Sequence, residues 1–198
     1  MEINLKNESI IFEPLELIFE EKLSTNVFAD KNNKTLQETI EHNRYKKLSR
    51  KVNENYATFL SWKLGEFLLY LKGIGDNFYE EFLNKNGDLN YSRFYIDDEQ
   101  LLNKKGLYAY TVNGEIKYIG RCRDNFKKRI NNGYGKIHPK NCFIDGQSTN
   151  CHLNYLITKN KENIELYVYE LENNDEIEKI EKDAILELQP IWNIALKK

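Results

Sequence analysis

Two β-prone runs flank a single dipeptide, Asn113-Gly114, and this arrangement constrains the chain more than any other feature. Leu107 to Val112 and Glu115 to Gly120 are rich in Tyr, Val, Ile and Thr. A two-residue connection between twisted strands needs positive φ at both central residues, which Asn and Gly tolerate best. The pattern predicts a tight antiparallel hairpin. Beyond it the apolar spacing turns helical, predicting a helix from about Asp124 to Asn132 with Asp124 as N-cap. Gly133, Gly135, Pro139 and Gly146 mark Gly133 to Ser148 as loop. A second helix over Thr149 to Asn160, a strand over Ile164 to Leu171 and a helix from about Asn174 to Leu188, stopped by Pro190, complete the order ββααβα.

The first hundred residues read mainly as helices. Tyr56 to Lys72 is apolar on most faces, and Phe59, Leu60, Phe67, Leu68 and Leu71 form its strongest stripe, so it belongs in a core or at a subunit interface. Leu36 to Lys51 is polar and carries His42, Arg44, Lys46, Lys47, Arg50 and Lys51, which suits a solvated helix better than a DNA-contacting arm. The expected fold class is α+β: a mainly helical region over 1–103, then a compact α/β domain over 104–198 with a small central antiparallel sheet flanked by helices.

Composition narrows the setting. No apolar run approaches the ~20 residues of a membrane span, and Met1 to Ile10 lacks a basic-then-apolar signal pattern, so a cytoplasmic protein without a membrane partner is expected. Cys122, Cys142 and Cys151 form no CxxC pair, and Cys151-His152 has no partner pair at zinc spacing; reduced structural thiols are expected. The net charge of −2 does not suggest nucleic acid, but its distribution is uneven. Residues 101–160 hold 11 Lys/Arg against 3 Asp/Glu, so a basic middle lies between acidic ends. Such a middle serves either as a phosphate-facing surface or as an ordinary solvated one.

At 100° per residue, Ile177, Ile180, Ala184, Ile185 and Leu188 make one stripe of the last helix, and Glu181 falls inside it. A carboxylate aimed at a core needs a cation, a metal or a raised pKa. Metal ligation and an ion pair with an Arg such as Arg129 are both open on this ground. Tyr108 and Tyr118 lie on opposite hairpin strands, where tyrosines commonly serve as half-buried packing residues.

Together these residues resemble a known signature. Gly106-Leu107-Tyr108, nine further residues and Tyr118-Ile119-Gly120 resemble the motif of the GIY-YIG nuclease superfamily. Arg129 on the next helix, Glu181 on the late helix and Asn193 in Trp192-Asn193-Ile194-Ala195 fall where that family's other marks fall, and the resemblance runs from about Gly106 to Leu196. Leu107 replaces Ile. Where many members carry His one helical turn after the Arg, this chain has Gly133 with Tyr134 next; some restriction enzymes of the family resemble it in using Tyr there. Tyr134 is therefore the expected occupant, with Lys136 or His138 as substitutes should it point elsewhere.

The resemblance implies divalent-metal-dependent hydrolysis of double-stranded DNA. Glu181 would be the only protein ligand of Mg²⁺ (Mn²⁺ substituting), a cation that keeps its waters and asks for few carboxylates. Tyr108 would act as general base or relay, Tyr118 would position water or phosphate, Arg129 would bind the scissile phosphate, and Asn193 would order the C-terminal segment. It further implies a self-contained type II restriction endonuclease, dimeric on palindromic DNA and paired with a DNA methyltransferase, with 1–103 serving recognition and dimerisation. A homing-type or repair nuclease and a non-catalytic DNA-binding protein retaining the fold are the alternatives.

Overall fold

The computed structural model describes residues 1–6 and 8–194; Ala195 and Leu196, at the end of the matched stretch, lie outside them. The chain does not divide at 103/104. One compact unit comprises Leu23–Tyr91 and Ile137–Tyr155, and the other Met1–Lys22, Ser92–Lys136 and the residues from Leu156 onward. The fold is α+β, with a small antiparallel sheet flanked by helices.

The first of these units is built from short helices. In α1 (Leu36–Ile40) a capping box closes the N-terminus, the Thr35 hydroxyl accepting from Glu38 N while the Glu38 carboxylate accepts from Thr35 N at 2.6 Å. The polar stretch expected as one helix ends α1 at Ile40 and resumes as a 3₁₀ turn, Lys46–Leu48, and α2, Ser49–Asn55. Tyr56 to Lys72 is likewise broken, into a 3₁₀ turn at Ala57–Phe59 and α3, Leu64–Gly73. The break has a tertiary cause. Carbonyls of Trp62 and Leu60 accept from Leu36 N and Gln37 N at 2.9 and 3.0 Å, and Leu64 N donates to Lys34 O at 3.0 Å. These bonds satisfy helix ends that neither segment could satisfy alone. Phe67, Leu68 and Leu71 are buried with Phe28, Tyr45, Phe82 and Phe143, whereas Trp62, Leu69 and Tyr70 are exposed. Cys142 and Cys151 are buried free thiols of this core. The stretch expected as loop contains a 3₁₀ turn, Pro139–Cys142, before α4, Ser148–Lys159.

The second unit holds the strands. Contrary to the helical expectation for the N-terminus, β1 (Glu2–Asn4) and β2 (Ser9–Ile11) pair as a small hairpin, β3 (Glu13–Leu15) joins the main sheet, and β4 (Ile18–Phe19) pairs with β5 (Phe94–Tyr95). Strands of two or three residues carry too few alternations to be read as periodic. Pro14 lies within β3, an edge strand, where a missing N–H is tolerated.

The main sheet adds β6 (Gly106–Val112), β7 (Glu115–Cys122) and β8 (Ile164–Glu170) in the antiparallel order β3-β8-β6-β7. The hairpin turn takes the required conformation, φ 52° at Asn113 and 77° at Gly114. Alternation then sorts side chains between the two faces of the sheet. Leu107, Ala109 and Ile119 cluster with Ile177, Ile180, Ala184 and Ile185 of α5 (Asn174–Leu188) and with Ile3, Ile10 and Phe12. Tyr108, Tyr110 and Tyr118 go to the opposite face. Leu188, expected in the buried stripe, is 39% exposed because α5 ends there, Gln189 adopting φ 47°. Among the described residues, no helix is long and apolar enough to cross a membrane.

Candidate active site

Gly120 decides how the tyrosines pack. The strand register sets Tyr108 opposite Gly120 and Tyr110 opposite Tyr118. A Cβ on Gly120 would lie 2.4 Å from the Tyr108 hydroxyl and 2.7 Å from Tyr118 Cε1, so the Tyr108 phenol lies over a position only glycine leaves open. Tyr108 and Tyr118 are diagonal neighbours on one face, their rings 6.1 Å apart and stacked. Gly106 is equally constrained, with φ 144° and the Tyr169 carbonyl where a Cβ would be.

The next element supplies the cation, and its register is unusual. Residues Lys127–Tyr134 form a π helix, not the α helix expected over 124–132. Its first turn is not capped by Asp124, which instead pairs with Lys128; the Asn125 side chain accepts from Lys128 N at 2.8 Å. The Leu102 and Lys104 carbonyls take the N–H groups of Lys127 and Phe126. At the other end Gly135 N donates to Ile130 O at 2.7 Å, an i→i+5 bond. In this wider turn the residue stacked over Arg129 is the fifth one on, Tyr134, not the fourth, Gly133. The guanidinium carbon lies 4.9 Å from the Tyr134 ring centre.

Three side chains meet directly. Arg129 Nε donates to the Tyr108 hydroxyl at 3.1 Å, and the Tyr108 and Tyr134 hydroxyls share a hydrogen bond of 2.7 Å. Burial holds both phenols well above their ordinary pKa; for Tyr108 the Tyr118 oxygen adds to the effect, and Arg129 offsets it only in part. For Arg129, burial opposes its charge while the Tyr108 and Tyr134 oxygens favour it, and the balance strengthens its hold on the proton. Among the described residues, no carboxylate lies within ion-pair distance of Arg129. Tyr110 extends the aromatic set, and its buried hydroxyl has no hydrogen-bond partner among the described residues.

Glu181 has an arginine beside it, one of the two readings its position left open. It is half-buried on α5, and its ion pair is with Arg121, at 2.8 Å, not with Arg129. Arg121 also meets Glu178 at 3.3 Å, and Glu178 in turn pairs with Arg123. Burial raises the Glu181 pKa; Arg121 and then Arg129 pull it back, so Arg129 acts on it through space. The sequence reading passed over Arg121, although it lies two residues after Ile119 and hence on the face covered by α5. Among the described residues, no group of three or more His, Cys, Asp or Glu could hold a metal.

Asn193 works through the backbone. Its side-chain oxygen accepts from Ile119 N at 3.0 Å and its amide donates to Ile119 O at 2.8 Å. β7 is an edge strand, and this amide closes its open side between Tyr118 and Gly120. A register shift after Tyr110 leaves Lys117 as the extra residue of a bulge, and its carbonyl accepts from Trp192 N at 2.8 Å. Of the substitutes considered for Tyr134, Lys136 is exposed, and His138 caps a 3₁₀ turn by accepting from Lys140 N.

In comparison with known proteins, no family model, no curated protein and no solved structure matches the chain.

Proposed function

We propose that the chain is a divalent-metal-dependent endonuclease of double-stranded DNA, of the sequence-specific type II restriction kind. One observation carries the reading: Arg129 is a largely buried guanidinium bonded to a phenol instead of a carboxylate. A buried cation without a counter-ion is costly, and an anion that arrives as substrate relieves the cost. The GIY-YIG resemblance supplies the identity of that anion, the scissile phosphate.

Each residue then has work it can do from where it stands. Arg129 binds the phosphate and stabilises the added charge of its transition state. Tyr108 is a neutral phenol whose hydroxyl holds Arg129 and Tyr134 in place; to serve as general base towards the attacking water it would need more than Arg129 to offset burial. Tyr118, beside it, positions water or phosphate. Asn193 fixes the strand segment bearing Tyr118 and Gly120.

Glu181 is the residue that would hold a metal. A single carboxylate at the border of a cationic and phenolic cluster suits Mg²⁺ or Mn²⁺, whose remaining positions are filled by waters and substrate oxygens. Bound there, the ion would supply Lewis-acid charge neutralisation at the phosphate.

The test is cleavage of phage DNA with and without Mg²⁺, followed by sequencing of the ends, in the wild type, Glu181→Gln and Arg129→Ala. Discrete fragments from the wild type are expected. Glu181→Gln should retain DNA binding but not cut, and Arg129→Ala should fold yet fail to cut. Intact DNA with the wild type would return the protein to the non-catalytic binding class. A cutting Glu181→Gln would remove Glu181 as metal ligand.

A further inference from the structure

The unit formed by Leu23–Tyr91 and Ile137–Tyr155 contains a cleft of about 170 Å³ that the nuclease reading does not use. Its walls bring together Lys31, Lys34, Lys140 and His42 around Tyr45 and Asp145. Three lysines and one carboxylate thus line it. Lys31 is the unusual member: its side chain is only 11% exposed, and its ammonium lies 4.1 Å from the centre of the Phe143 ring. Its distance to Asp145 is 3.9 Å, too long for a hydrogen bond. The same Asp145 oxygen is already held by the Tyr45 hydroxyl at 2.5 Å.

Two explanations compete for such a cluster. If Lys31 were a structural counter-ion to Asp145, their pairing should be close and Lys34 and Lys140 should point away. Instead the pair sits at the outer limit of ion-pair distance, one carboxylate among three lysines, and both other lysines act on Lys31 through space. Burial lowers the Lys31 pKa, Asp145 opposes that, and Lys140 and Lys34 lower it further. Like charges converging on a partly desolvated ammonium are unfavourable unless an anion joins them. The room fits: the cleft is several times the ~30 Å³ of one water. Phosphoryl oxygens are the usual partners of lysine clusters, which act on them as point charges.

We infer that this cleft is a phosphoryl-binding site, with Lys31, Lys34 and Lys140 as its cationic ligands and Asp145 held aside by Tyr45. The phosphoryl group belongs either to the DNA backbone, in which case the inference rests on the nuclease reading, or to a free phosphorylated ligand, in which case it does not.

Calorimetric titration of the full chain with sodium phosphate at constant ionic strength, and with a short duplex in EDTA, separates the sources. Lys31→Met should weaken one ligand by about tenfold or more, the scale of a lost charge-assisted bond. Lys140→Ala removes an exposed side chain and keeps the test open should Lys31→Met fold poorly. If the site serves DNA, duplex affinity falls and its salt slope drops by about one. If it serves a free phosphoryl group, phosphate binding falls and duplex affinity holds. Either result is independent of cleavage, so a chain that binds here and never cuts would refute the nuclease reading alone. The site is refuted if both ligands bind Lys31→Met and Lys140→Ala as tightly as the wild type, or if neither binds the wild type.

Discussion

Replacing Gly120 by Ala adds one carbon and should unseat the site. That carbon would lie 2.4 Å from the Tyr108 hydroxyl, 2.5 Å from Tyr108 Cζ and 2.7 Å from Tyr118 Cε1. Against an ordinary carbon contact of about 3.5 Å, each is short by about 1 Å. Tyr108 cannot swing aside cheaply, because it is fully buried and its hydroxyl is bonded to Arg129 and Tyr134. Overpacking costs about 1–3 kcal/mol, and each displaced hydrogen bond adds about 1 kcal/mol. A loss of about 3 kcal/mol or more follows, or some 6–12 °C in Tm for a chain of this length. The same change at Gly73, the last residue of α3, meets nothing within 4 Å and should instead stabilise by about 0.5–1 kcal/mol. Differential scanning calorimetry of the two variants beside the wild type reads both signs. A Gly120→Ala protein melting within a degree of wild type would show that the Tyr108 ring is free to move, and would refute the packing argument.

Three further outcomes are expected. Tyr134→Phe deletes the 2.7 Å bond to Tyr108 and should cost about 1 kcal/mol by urea denaturation while leaving the π turn intact by circular dichroism; a loss above about 3 kcal/mol would assign Tyr134 a packing role instead. Asn193→Ala leaves both backbone groups of Ile119 without their partner and should cost about 1–3 kcal/mol, seen as faster hydrogen exchange at the Ile119 amide; unchanged exchange would contradict the edge closure. The third concerns pH. Burial raises Glu181 above the ordinary 4.5, so its ionisation opposes folding: stability falls as pH rises from about 4.5 through the raised value and stays lower above it. Glu181→Gln should therefore melt at or above the wild-type Tm at pH 7–8, the difference closing below pH 4.5. A lower Tm at neutral pH would mean that the Arg121 pair outweighs burial.

Legibility in the sequence followed the length of the signal. The 113–114 turn, the last helix and the third strand of the motif region all stood out because each rests on a long periodic run or an obligatory turn dipeptide. The N-terminal strands did not, being two or three residues long, with Pro14 inside one of them. The helical region was misjudged where backbone hydrogen bonds from distant residues interrupt a helix, as between Phe59 and Leu64. Within the candidate site, Tyr108, Arg129 and Tyr134 do meet. The partner of Glu181 stayed open because helix periodicity says which face a carboxylate takes but not which strand residue it reaches. Gly120 stood in the motif, but its reason, the phenol lying across it, needed the strand register.

The π turn at Lys127–Tyr134 has a consequence for kinship. In an α helix one inserted residue rotates everything after it by about 100°, which would carry the Tyr134 hydroxyl away from Arg129. A turn that widens by one residue absorbs the insertion locally and returns the hydroxyl to register. Descent through such an event would conserve the spatial triangle of two phenols and a guanidinium while shifting the residue count between them.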